Sequence, residues 1–276
     1  MTIATGLVLV GCGDDDDAAD GGGDADHGDH DKAGTGGKGG AAGNTAGKGG
    51  TAGTSGKGGS GGKGGSGSQD DGGVDDDDAG TKAELSFFVS SDKSMTGNLG
   101  GLKGADERCN ELAAAAGVKD PKFAAYLSSE KNVDGDDATV NARDRIGDGP
   151  WYNAKGVLLA QDLDALHKLP SGNADNFVTE KGDKINGQWE GSPTPNEHDV
   201  LTGSDADGKL LAGKTCKSWT SEAMADVAQV GHSDGLGPMR NPDPPYNSWN
   251  SSHENGGCND TAPRGGAGHI YCFSTK

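Results

Sequence analysis

Five cysteines and seven histidines carry most of the reactive side chains in this 276-residue chain. Cys109, Cys216, Cys258 and Cys272 lie in residues 84–276, where three disulfide connectivities are open to them. Cys109 falls on the apolar stripe of a predicted helix and Cys272 in a predicted closing strand, so these two can meet if the ends of the domain close on one another. His198, His232 and His253 are candidates for a metal or ligand site, but they stand in segments that read as loop, where solvated histidines are common. His167, in Asp164-Ala-Leu-His-Lys168, reads as a surface helix residue. His27 and His30, among aspartates, read as part of a solvated acidic run. No His-Glu-x-x-His or Cys-x-x-Cys occurs, so zinc-hydrolase and thiol-redox chemistry lack their minimal geometry. Cysteines paired in disulfides are not thiolate nucleophiles. The reading is not an enzyme.

Cys12 is different in kind. Leu9-Val10-Gly11-Cys12 matches the bacterial lipobox, in which a small residue precedes a cysteine that is diacylated and becomes the new N-terminus. Gly6 to Val10 then reads as the end of a signal peptide's apolar stretch, making residues 1–11 a partial signal peptide. No Lys or Arg precedes that stretch, so either the translation start lies further upstream or Cys12 is not lipidated, and the first is the expectation. The expectation is an exported protein held through Cys12 on a membrane, at the outer membrane or cell surface.

Residues 12–83 read as that anchor cysteine followed by a disordered Gly/Asp-rich tether. They contain no aromatic residue, and so little apolar surface does not offset the entropy of ordering a backbone. Gly recurs every third residue over part of the tract, yet the tract has no proline to pre-set a collagen helix. A Gly-rich coil of this length spans roughly 45 Å. Matches to dinucleotide and nucleophile-elbow patterns inside it lack the strand–turn–helix context their mechanisms need.

The net charge is −19. It is shared by both parts: 15 Asp against 6 Lys in residues 1–83, and 28 acidic against 18 basic residues in the remainder. No basic cluster draws a phosphate backbone, so nucleic acid is not expected as a partner. No run of eighteen apolar residues is present to read as a spanning helix.

Residues 84–276 read as one folded domain. Leu85 to Val89 should be a strand, and Leu102, Ala105, Cys109, Leu112, Ala113 and Ala116 predict a helix with Asp106 and Glu107 in its first turn and Gly117 at its end. Phe123 to Leu127 alternates as a strand. Trp151 to Leu158 predicts a hairpin, Leu163 and Leu166 a short helical turn. Short strands are expected near Ile185–Trp189 and Leu210–Leu211. Ile270 and Cys272 alternate with Tyr271 and Phe273 in the closing strand. Residues 190–266, rich in Gly, Pro, Asn and Asp, predict a long loop region.

Phe88-Val-Ser-Ser91, Gly97-Asn-Leu-Gly-Gly-Leu-Lys-Gly-Ala-Asp106 and Cys109 resemble the opening of bacterial surface proteins with an endostatin-like, C-type-lectin-like domain. Tyr126-Leu-Ser128, Gly187-Gln-Trp-Glu-Gly191, Cys216-Lys-Ser-Trp-Thr-Ser221 and Ile270-Tyr-Cys-Phe273 continue the resemblance. It implies an α+β fold of two helices around short mixed sheets with long loops, and two disulfides pairing Cys109 with Cys272 and Cys216 with Cys258. It also implies a binding surface carried on loops.

Sugar-binding C-type lectins hold calcium through a Glu-Pro-Asn type triplet and a Trp-Asn-Asp. Here Thr194-Pro195-Asn196-Glu197 and Trp249-Asn250-Ser251 each fall one residue short. Asn196, Glu197, Asp199, Asp205 and Asp207 are the calcium candidates, and Trp249, Asn250, Asn196 and Glu197 the ligand-binding candidates. Trp189, Trp219 and Trp249 each read as core rather than as sugar-stacking platforms, with Trp249, among Asn, Ser and His, the one of the three open to exposure. Endostatins can carry zinc near the domain start, but no histidine lies between His30 and His167, so that site is not carried over. No cofactor is expected beyond calcium. The leading expectation is a non-catalytic adhesion module for an extracellular protein or glycan. A calcium-dependent lectin is the alternative, and an enzyme on the same fold stands behind both.

Overall fold

The computed structural model describes residues 84–276. Cys12, the partial signal peptide and the tether lie outside the described residues. In chain order the first half forms β1 (Phe87–Val89), α1 (Gly101–Ala115), β2 (Phe123–Ala125), β3 (Ser129–Lys131), β4 (Asp137–Val140), β5 (Trp151–Tyr152), β6 (Leu158–Ala160) and α2 (Leu163–His167). The second half forms β7 (Asp199–Leu201), α3 (Cys216–Trp219), β8 (Gln229–His232), β9 (His253–Glu254) and β10 (Gly266–Ser274).

Nine-residue β10 organises the main sheet. It pairs antiparallel with β1 and β2 and parallel with β7, and the sheet continues through β8 to β9. β3–β4 and β5–β6 are separate antiparallel hairpins. Successive strand side chains alternate between faces, and both faces of β10 are enclosed. Phe88, Ile270 and Cys272 face α1 with Leu201, Trp219 and Val230. Phe87, Val89, Tyr271 and Phe273 face the other way, with Tyr126, Trp151, Phe177 and Trp249. The sheet therefore separates two apolar layers.

The disulfides are Cys109–Cys272 and Cys216–Cys258. The first ties α1 to the sheet's central strand. Near the second, Gly97 donates its N–H to the Cys258 carbonyl, and a Cβ on Gly97 would sit 2.3 Å from Cys216 Sγ. Only glycine fits there.

The structure corrects several expectations. Among the described residues there are three helical segments, α1 to α3, where the resemblance implies two helices. The third, α3, is a single left-handed turn, with φ of 46°, 51°, 58° and 65° at Cys216, Lys217, Ser218 and Trp219. Such turns are unfavourable for L-residues, and this one is held by the disulfide, by the Ser218 N–H on Thr215 Oγ1 at 2.9 Å and by Trp219 Nε1–H on the Ser128 carbonyl at 2.9 Å. Asp106 is not in the first helical turn, because the chain enters α1 at Gly101. Its carboxylate instead accepts both contacts from Arg145 Nη2 and the N–H of Ala125. Ala116 is exposed rather than on the buried stripe. Residues 190–266 are not all loop. They contribute β7, β8 and β9, whose polar and glycine residues concealed the alternation.

Candidate functional site

β8 pairs with β7 and β9 so that Asp199 lies opposite His232, and Val230 opposite His253. His232 and Val230 are two apart on one strand, so Asp199, His232 and His253 share a face. His198 stands just before β7, its ring stacked on that of His232 with centroids 4.2 Å apart. Asp199, His198 and His232 are at most 3 % exposed, while the His253 side chain is 26 % exposed.

The hydrogen bonds set each imidazole. His198 Nδ1 lies 2.7 Å from Asp234 Oδ1, His232 Nδ1 2.9 Å from the Tyr246 carbonyl, and His253 Nδ1 2.8 Å from the Glu254 carbonyl. A carboxylate and two carbonyls only accept, so all three Nδ1 atoms carry the proton. In the neutral rings the three Nε2 atoms therefore present bare lone pairs. His232 Nε2 and His253 Nε2 are 2.9 Å apart. Asp199 Oδ1 is 3.3 Å from His198 Nε2 and 3.4 Å from His232 Nε2, and Oδ2 is 3.7 Å from His253 Nε2. Among the described residues, no hydrogen bond reaches either oxygen of Asp199.

Burial pushes the Asp199 carboxyl up to about 6, partly opposed by the charges of His198 and His253. Burial takes His232 down to about 3, and the neighbouring His198 and His253 push the same way. For Asp234 burial also favours the acid, but the His198 hydrogen bond and the N–H groups of Gln188 and Leu236 outweigh it, so its carboxyl lies below the usual range. Asp234 is the charged support and Asp199 the unsupported carboxylate.

A cleft of about 460 Å³ opens on this cluster, with the rings of His198, His232 and His253 in its lining and Gln188, Asn196, Tyr246 and Arg264 around them. The Tyr246 ring lies parallel to that of His232, 6.1 Å away. Gly231 makes the arrangement sterically possible: a Cβ there would meet the Trp249 carbonyl oxygen at 1.9 Å. The segment carrying Tyr246 and Trp249 therefore lies directly on the sheet. Another hollow of about 410 Å³ sits beside Glu84, Lys122 and Tyr152 and contains none of these histidines.

The structure redistributes the residues singled out from sequence. Trp249 is not exposed. It packs in the core against Tyr126 and Tyr271, with ring centroids 4.9 and 5.3 Å away. Asn250 is buried as well, its amide donating to the Tyr126 hydroxyl and to the carbonyls of Asp205 and Ala206. Glu197 is nearly enclosed and paired with Lys93. Asn196 lines the cleft. The calcium candidates do not converge. Asp205 accepts the Lys209 N–H within its own turn, Asp207 is exposed on that turn, and Asp199 faces nitrogen donors. Among the described residues, the converging ligand-type group is His198, Asp199 and His232. His167 is half-buried, its Nε2 2.8 Å from the Tyr126 hydroxyl. Trp219 is core, whereas Trp189 is half-buried beneath Lys184. Sequence reasoning missed Asp234, Gln188, Tyr246 and Arg264. The adjacency of His198 and Asp199 was the available signal, but the pairing of β7 with β8 was needed to use it.

No protein-family model matches the chain. The human collagen alpha-1(XVIII) chain is 29 % identical over 146 residues, which cover 51 % of this chain and 8 % of that protein. The likeness is distant, and this chain spans under a tenth of its relative's length.

Proposed function

We propose that the chain is an exported surface lipoprotein, anchored through Cys12 at the outer membrane or cell surface. Its folded domain, of the endostatin-like and C-type-lectin-like kind, acts as a non-catalytic recognition module for an extracellular protein or glycan. The distant likeness to a collagen XVIII chain, the two disulfides and the short mixed sheets support the assignment of kind. Disulfides are characteristic of oxidising, extracytoplasmic settings, which supports export. The strongly acidic chain disfavours nucleic acid.

The observation that carries the recognition reading is the cleft. Its walls offer an amide at Gln188, another at Asn196, a guanidinium at Arg264 and the ring of Tyr246. A concave site with a few placed polar groups and an aromatic surface suits ligand docking. The test is a screen of the full chain against glycans and extracellular-matrix proteins, followed by Gln188→Ala and Arg264→Gln. Both should weaken binding at least tenfold with the thermal midpoint unchanged. A ligand bound equally well by both variants would place recognition elsewhere on the domain.

A further inference from the structure

The geometry points to a metal site: His198 Nε2, His232 Nε2 and the Asp199 carboxylate hold one divalent transition metal of the zinc class. This goes beyond the docking proposal and does not rest on it, since ligand binding and metal binding can fail separately.

Two independent observations carry it. The first is the convergence of lone pairs. Three imidazoles whose Nδ1 protons are committed to Asp234, Tyr246 and Glu254 turn bare nitrogens towards one carboxylate. Asp199 is 2 % exposed and receives no hydrogen bond among the described residues. Acceptors brought together in a buried site repel unless a cation lies among them. The second is the spacing. A tetrahedral zinc with bonds of ~2.0–2.1 Å has ligand atoms roughly 3.3 Å apart. Asp199 Oδ1 lies 3.3 and 3.4 Å from the Nε2 atoms of His198 and His232, whereas His253 Nε2 stands 3.7 Å from the other oxygen and 2.9 Å from His232 Nε2, beside the triad.

The donor set selects the metal. Imidazole nitrogen suits zinc and its transition-metal neighbours, whereas calcium requires six to eight oxygens. The supporting contacts have the expected form, because histidine ligands typically donate their second ring proton to a carboxylate or carbonyl. Three protein ligands leave a fourth tetrahedral position open towards the cleft, with His253 beside it. The metal would therefore join β7 to β8 at the side of the cleft. It is distinct from the zinc near the domain start that the endostatin resemblance implies, because its ligands, His198, Asp199 and His232, lie late in the chain.

The experiment uses the full chain carrying His27→Ala and His30→Ala, so that the N-terminal histidines do not compete. Zinc is titrated against a chromophoric chelator, and cobalt(II) is added in parallel for its visible spectrum. The expected result is one equivalent of zinc and the intense absorption of tetrahedral cobalt. Asp199→Asn and His198→Gln should each weaken zinc at least 100-fold, and Asp234→Asn by 10- to 100-fold. Circular dichroism checks that each variant folds, and if neither ligand variant folds, the zinc stoichiometry and cobalt spectrum of the parent chain decide the matter. Absence of a zinc equivalent, affinity unchanged in folded Asp199→Asn or His198→Gln, or a weak octahedral cobalt spectrum would overturn the proposal.

Discussion

Replacing Cys109 and Cys272 together by alanine opens a bridge between residues 163 apart in sequence, whereas replacing Cys216 and Cys258 opens one 42 apart. On the chain-entropy model the unfolded chain regains about 5 kcal/mol of freedom in the first case and about 4 kcal/mol in the second. All four cysteines are fully enclosed, so lost packing adds a similar amount to each variant. The locations separate the two cases further. Cys109 lies in α1, and Cys272 is the register partner of both Phe88 and Ala125, so the outer bridge holds the helix on the middle of the sheet. The inner bridge secures the left-handed turn of α3, which retains the hydrogen bonds of Thr215 and Trp219. Against a domain stability of about 5–15 kcal/mol, the outer variant should lose most of its cooperative transition, while the inner variant stays folded with a loosened Cys216–Cys258 segment. Urea unfolding followed by tryptophan fluorescence measures both. An outer variant with an unchanged midpoint, or an inner variant less stable than the outer one, would refute this reasoning.

Trp249→Ala should destabilise the domain by about 3–5 kcal/mol, as expected for removing a core aromatic, because the ring packs among Tyr126, Phe177 and Tyr271. Wild-type stability in urea would show that this ring is not core. His269 is buried, with Nδ1 bonded to the Ser90 carbonyl, and its pKa is lowered to about 4, burial being the main cause and Arg108 and Lys93 pushing the same way against Glu197. Its unfolded form takes up a proton first, so its share of stability is full above about pH 6.5 and falls by about 3 kcal/mol as the pH drops towards 4. His269→Gln should flatten that slope in urea midpoints measured across the range, and an unchanged slope counts against the assignment. On the proposed lipid anchor, Cys12→Ala should shift the protein from the membrane to the soluble fraction, and unchanged fractionation would remove the anchor from the account.

Much of the frame was legible from residue spacing, because its elements carry strong local signals. Leu102, Ala105, Cys109 and Ala113 keep a helical stripe, and the alternation of Ile270 and Cys272 with Tyr271 and Phe273 survives as the two faces of β10. These patterns depend on which side chains leave water, and that is written locally. The candidate site was not legible in this way. β7, β8 and β9 are two to four residues long and carry Asp, Gln, Gly and His, so they present no apolar period and read as loop. Only strand pairing placed Asp199 opposite His232, and only the approach of the Trp249 segment over Gly231 supplied the Tyr246 carbonyl that orients the His232 ring. Trp249 shows the same division. Its polar neighbours in sequence suggest solvent, but its packing is decided by Tyr126, Phe177 and Tyr271, which reach it from distant parts of the chain. Local sequence determines which faces are apolar, whereas the meeting of lone pairs from His198, Asp199, His232 and His253 exists only once three strands share a sheet.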